Sequence, residues 1–158
     1  MIYTDEDLSR LIACPKQITQ APHKEMRMDG QMLRDEMEFK SLDGEYVFRA
    51  FMRQNRQFVE NFSVGLDYLP KDIPGSFCLI RCNGMHGGHK VHPHHSRCHI
   101  HRSKAEDVNN GLLDARHIEQ TSEYAAFRDA LRYFLRAVNV QATDIARYFS
   151  MFTQGSLF

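Results

Sequence analysis

The stretch Asn61-Phe62-Ser63-Val64-Gly65-Leu66-Asp67-Tyr68 alternates without a break, with Phe62, Val64, Leu66 and Tyr68 on one side and Asn61, Ser63, Gly65 and Asp67 on the other. A period of two is the signature of a half-buried β-strand. The neighbouring segments repeat it. From Glu45 to Arg53, Tyr46, Phe48, Ala50 and Met52 occupy one face and Val47, Arg49, Phe51 and Arg53 the other. Before them Leu33, Met37 and Phe39 alternate with Glu36, Glu38 and Lys40, and Asp43-Gly44 is a tight-turn pair able to join two such strands. After a turn-rich connection at 70–76, Phe77–Cys82 is mostly apolar, as in a strand buried on both faces. These residues predict an antiparallel meander over 31–83 with one greasy and one polar face.

Helical signals flank the meander. Thr4 followed by Asp5, Glu6 and Asp7 suits a helix start, Leu8, Leu11 and Ile12 give an apolar face over 5–13, and Pro15 ends it. Residues 16–30 read as a linker. Near the C-terminus Tyr124, Phe127, Leu131, Phe134, Leu135 and Val138 keep a 3-and-4 spacing, predicting a helix over 122–138 capped by Thr121 or Ser122. A second helix is expected over 143–152, capped by Thr143. Together these elements predict a single α+β domain spanning 1–158: a four- to five-stranded sheet, a short N-terminal helix, and two C-terminal helices packed on one face.

The chain has 158 residues, 42% of them hydrophobic and 25% charged, which fits a globular domain of ordinary composition. No apolar run is long enough to span a bilayer, and the acidic N-terminus lacks the layout of a signal peptide, so a cytoplasmic protein is expected. Cys14, Cys78, Cys82 and Cys98 are too few and too irregular for a disulfide framework. The 20 basic and 20 acidic side chains cancel overall but not locally. Residues 1–76 carry 10 basic and 13 acidic groups, residues 77–104 carry 5 basic and none acidic, and residues 105–158 carry 5 basic and 7 acidic. Seven of the nine histidines fall in the acid-free stretch.

Within that stretch, residues 83–102 read as a Gly- and His-rich loop followed by a short strand from Cys98 to Arg102, with His99 and His101 on one face and Ile100 on the other. Three readings compete. Two histidines side by side can act as base and acid on a phosphodiester, with nearby arginines stabilising charge on the phosphoryl oxygens. On that reading His99 and His101 are catalytic, in either order, and Arg49, Arg53, Arg81 and Arg102 bind phosphate. RNA is the expected substrate, because its own 2′-OH supplies the nucleophile and no metal is required. Alternatively, Cys82, His86, His89 and Cys98 form a Cys₂His₂ zinc site, or His99 and His101 with a loop histidine form an open one. The spacing matches no familiar zinc motif, so the expected cofactor is none or zinc. Thirdly, several of these histidines serve only as solvated loop residues.

Phe48–Leu66, Leu79-Ile80-Arg81-Cys82-Asn83-Gly84, the His-His…His-Ile-His run at 94–101 and Glu123-Tyr124-Ala125-Ala126-Phe127 resemble a bacterial domain family that carries no established activity. The resemblance covers residues 1–140. More loosely, the layout is similar to small proteins encoded in toxin–antitoxin or phage-defence loci, which implies nucleic-acid chemistry. The expectation is a small RNA-directed nuclease, the toxin of such a pair, with a cognate antitoxin as partner. The alternative is a non-enzymatic, zinc-stabilised module, inhibitor or antitoxin that binds a protein or nucleic acid through its basic loop. A homodimer is compatible with either.

Overall fold

The computed structural model describes residues 2–86 and 96–152. The chain is α+β. Helix α1 (Asp5–Ala13) precedes strands β1 (Lys16–Gln20), β2 (Arg27–Asp29), β3 (Met32–Ser41), β4 (Val47–Asn55), β5 (Phe62–Leu69), β6 (Phe77–Asn83) and β7 (His99–Arg102). Then come α2 (Ala105–Asn109), β8 (His117–Gln120), α3 (Phe127–Ala137), α4 (Ala142–Tyr148) and a 3₁₀ turn, Ser150–Phe152. Among the described residues no helix is long and apolar enough to cross a membrane.

All eight strands belong to one open antiparallel sheet in the order β1-β3-β4-β5-β6-β7-β8, with β2 also pairing against β3. The meander is therefore present but wider than the expected four to five strands. The segment expected to be a linker contains β1 and β2, and β8 extends the other edge. β3 and β4 pair around Asp43-Gly44, where Gly44 has φ 77°, a left-handed conformation that costs glycine little.

The greasy face is continuous. Met37, Phe39, Phe48, Ala50, Val64, Leu66, Ile80 and Cys82 are fully buried, and they share one core with Leu8 and Leu11 of α1 and with Leu131, Phe134 and Leu135 of α3. Helix α1 starts as its sequence predicts: Thr4 and Asp7 form a reciprocal capping box. Helix α3 starts later than expected, with Ala126 as its N-cap. Thr121 accepts from the Glu123 N–H at 3.1 Å, closing a local turn instead of a helix. Between them Tyr124 is buried, its hydroxyl 2.9 Å from the Asn83 carbonyl and 3.0 Å from the His99 carbonyl, so one proton serves both. That bond ties β6 to β7. The last predicted helix is divided into α4, capped at Gln141 instead of Thr143, and the 3₁₀ turn.

Candidate functional site

The register of the sheet decides which side chains can meet. Arg34 pairs with Arg53, Arg53 with Ser63, Ser63 with Asn83, Asn83 with His99 and His99 with Gln120. Two residues further along each strand, Glu36, Phe51, Gly65, Arg81, His101 and Ile118 form a second row. Directly paired residues project to the same side. Both rows lie on the side away from the core, so Arg53, Arg81, His99 and His101 share one face. Arg49, opposite Asp67, continues the same face two residues on.

The histidines form a packed group. The His99 and His101 ring centroids are 5.0 Å apart, and those of His86 and His99 are 5.1 Å apart. His99 is 0% exposed and His101 7%, whereas His86 is half-buried. His99 Nδ1 lies 2.8 Å from the Arg97 carbonyl, which can only accept, so Nδ1 carries a proton. His99 Nε2 is 3.3 Å from His86 Nε2, so one of the two nitrogens donates to the other. His101 Nδ1 is 3.0 Å from the Ala115 carbonyl and 3.2 Å from an Arg81 terminal nitrogen. One ring nitrogen cannot donate to the carbonyl and accept from the guanidinium. The shorter contact, to an obligate acceptor, fixes the proton on Nδ1 and leaves Arg81 as a cation packed beside the ring.

The arginines are poorly neutralised. Arg34 pairs with Asp29 at 2.9 Å, but among the described residues no carboxylate lies within ion-pair distance of Arg53 or Arg81. Burial lowers the pKa of Arg53, and the guanidinium groups of Arg81 and Arg34 lower it further, as expected where cations crowd together. Arg81 Nε is buried with no hydrogen-bond partner among the described residues. Arg49 reaches Ser76 Oγ at 3.4 Å and faces Asp67, whose carboxyl pKa is raised by burial and pulled back by Arg49. Ser63 donates to Asn83 Oδ1 at 3.0 Å, bracing the centre of the first row.

Two expectations need correction. Arg102 shares the parity of Ile100, pairs with Ile80, and approaches Glu119 at 3.5 Å. It therefore lies on the helix-bearing side and cannot clamp a phosphate held by His99 and His101. The expected zinc set Cys82, His86, His89 and Cys98 is split for the same reason. Cys82 is fully buried in the core, its thiol pushed up to about 12 by burial, and half-buried Cys98 packs against that core with Sγ 3.9 Å from the Ala125 carbonyl. His86 instead meets His99 on the polar side, and His89 lies outside the described residues. Among the described residues no group of three or more His, Cys, Asp or Glu is arranged to hold a metal ion.

Sequence reasoning missed Arg34, Ser63 and Asn83 as members of this face. A signal existed: a hairpin closed at Asp43-Gly44 with Lys40 opposite Val47 necessarily sets Arg34 opposite Arg53. Comparison with protein-family models, with curated proteins and with solved structures finds no match to this chain.

Proposed function

We propose that the polar face of the sheet binds RNA and cleaves its phosphodiester backbone by histidine acid–base chemistry. One observation supports this reading above the others: the strand register gathers His99, His101, Arg81 and Arg53 on one face, where among the described residues no carboxylate lies within ion-pair distance of either arginine. His101, beside Arg81, supplies one proton-transferring group. The His86–His99 pair supplies the other, with half-buried His86 as its solvent-facing member. One group takes the proton of the ribose 2′-OH as that oxygen attacks phosphorus. The other gives a proton to the departing 5′ oxygen, leaving a 2′,3′-cyclic phosphate. Arg53 and Arg81 hold the phosphoryl oxygens, where charge accumulates. On this reading the protein is an RNA-cleaving toxin whose antitoxin partner covers the same face.

The binding half of the proposal is tested by the salt dependence of affinity for a single-stranded RNA. Arg53→Ala is expected to lower the slope of log K against log salt by about 0.7, the value of one phosphate contact on a single strand. Arg102→Ala, on the opposite side, should leave it unchanged. Equal effects of the two substitutions would contradict the assignment of the face.

A second reading has its own observation. Two nitrogens bound to one tetrahedral zinc at ordinary bond lengths are about 3.3 Å apart, the separation of His86 Nε2 and His99 Nε2. The Nδ1–H to Arg97 carbonyl bond is of the kind that orients metal-bound histidines. Elemental analysis of purified protein distinguishes the two: near-stoichiometric zinc lost on His86→Ala favours the metal, and its absence favours the proton-sharing pair.

A further inference from the structure

At the other end of the strands, on the helix-bearing side, a cavity of about 410 Å³ opens between α1, the start of β4 and the loop after β5. Tyr3, Tyr46 and Tyr68 line it, together with the acidic Asp7, Glu45 and Asp72 and the basic Arg10 and Lys71. It is remote from the histidines: the pair Val47–Leu69 lies beside it, whereas the histidine row crosses at Arg53–Ser63. Six residues of strand separate the two, about 20 Å.

Two features of this lining suit a ligand. Tyr3 and Tyr68 are each only 8% exposed, and neither hydroxyl has a protein hydrogen-bond partner among the described residues, which leaves both free to bond to whatever fills the cavity. The charge is also unbalanced. Arg10 is engaged by Glu6 at 3.8 Å and Asp7 at 3.7 Å, and Lys71 lies 4.0 Å from Glu45, but Asp72 has no basic partner among the described residues. Asp72 is close enough to both buried phenols to add to the effect of burial in raising their pKa values. The Tyr46 and Tyr68 rings meet at 69° with centroids 6.0 Å apart, forming a corner of aromatic surface.

We propose that this cavity is a binding site for a small organic cation, a methylated or quaternary ammonium group seated in the tyrosine corner with Asp72 as its counter-charge. Ring faces attract such cations through their quadrupole, and a carboxylate at the rim adds a charge that an aliphatic ligand would not use. The volume suits a ligand of a few heavy atoms up to drug size.

The protein has no Trp and six Tyr, three of which line this cavity, so tyrosine emission reports on the site without competition from tryptophan. Titration of the full chain with choline chloride is expected to give a saturable change in emission, with sodium chloride and sodium acetate at equal ionic strength giving none. Asp72→Asn should weaken choline binding by about fivefold, the scale of an exposed charge contact. Tyr46→Ala, at a residue exposed enough to be replaced without unfolding, should abolish saturation. No saturation by about 50 mM choline, an identical response to acetate, or parent-like binding by the Asp72→Asn variant would each overturn the proposal.

Discussion

Lys16 is fully buried, and its ammonium donates to the carbonyls of Ile12 at 2.7 Å, Cys14 at 2.9 Å and Val138 at 2.8 Å, with the Phe48 ring 4.7 Å away. It satisfies carbonyls left over at the ends of α1 and α3, where the helix dipoles favour a cation. Lys16→Met strands those acceptors and should cost about 2 kcal/mol at neutral pH by urea unfolding. Burial also pushes the Lys16 pKa down from 10.5 to about 8, against the pull of Cys14. Between those values the unfolded chain binds more protons than the folded one, so stability rises with pH there. The burial penalty is fully present below about 8 and fades towards 10.5, up to about 3 kcal/mol. The stability gap between the parent and Lys16→Met should therefore widen from pH 8 to pH 10, and parallel pH profiles would contradict this. Nothing in the sequence pattern distinguishes this lysine, because its partners come from three separate segments. Arg102 is the opposite case. Period-two alternation alone sets it with Ile100 rather than with the histidines, so its side is legible in the sequence.

At the scale of elements, the strands read correctly from sequence are those with at least one buried face: β3, β4, β5 and β6, and β7 with its His-Ile-His alternation. β2 and β8 are exposed along their whole length and β1 over most of it, so no hydrophobic alternation marks them. They are strands because a neighbour offers hydrogen bonds. The two glycines on β5 and just beyond β6 differ in what they tolerate. A Cβ on Gly84 would lie 2.2 Å from the Glu60 carbonyl oxygen and 2.4 Å from the buried Phe62 ring, neither of which can withdraw. A Cβ on Gly65 would meet the tip of the Phe51 ring at 2.2 Å, and that half-buried side chain can swing away. Gly84→Ala should cost about 3 kcal/mol and Gly65→Ala about 1 kcal/mol. Thermal or urea unfolding that ranks them the other way would show that the β5–β6 packing is not as described.

For the whole molecule, a net charge of zero hides a segregated distribution. The acid-free stretch 77–104 supplies Arg81 and the histidines, and the meander supplies Arg53 and Arg34 from far upstream. The sequence singles out the histidine pair and Arg49, Arg53 and Arg81 as candidates, and the register puts them on one face. Their meeting is not legible in the sequence, because it depends on register across five strands. Nor is the burial of His99 and His101, whose rings pack against each other. On the function proposed above, this network and the adjoining arginines cleave RNA through its own 2′-OH. The most direct test is single-turnover incubation of the full chain, in EDTA, with an RNA and with the DNA of the same sequence. RNA cleaved to ends bearing 2′,3′-cyclic phosphate, DNA left intact, and a loss of rate in His101→Ala of at least about 100-fold is the predicted result. No cleavage, cleavage of DNA at a comparable rate, or parent-like cleavage by His101→Ala would contradict it.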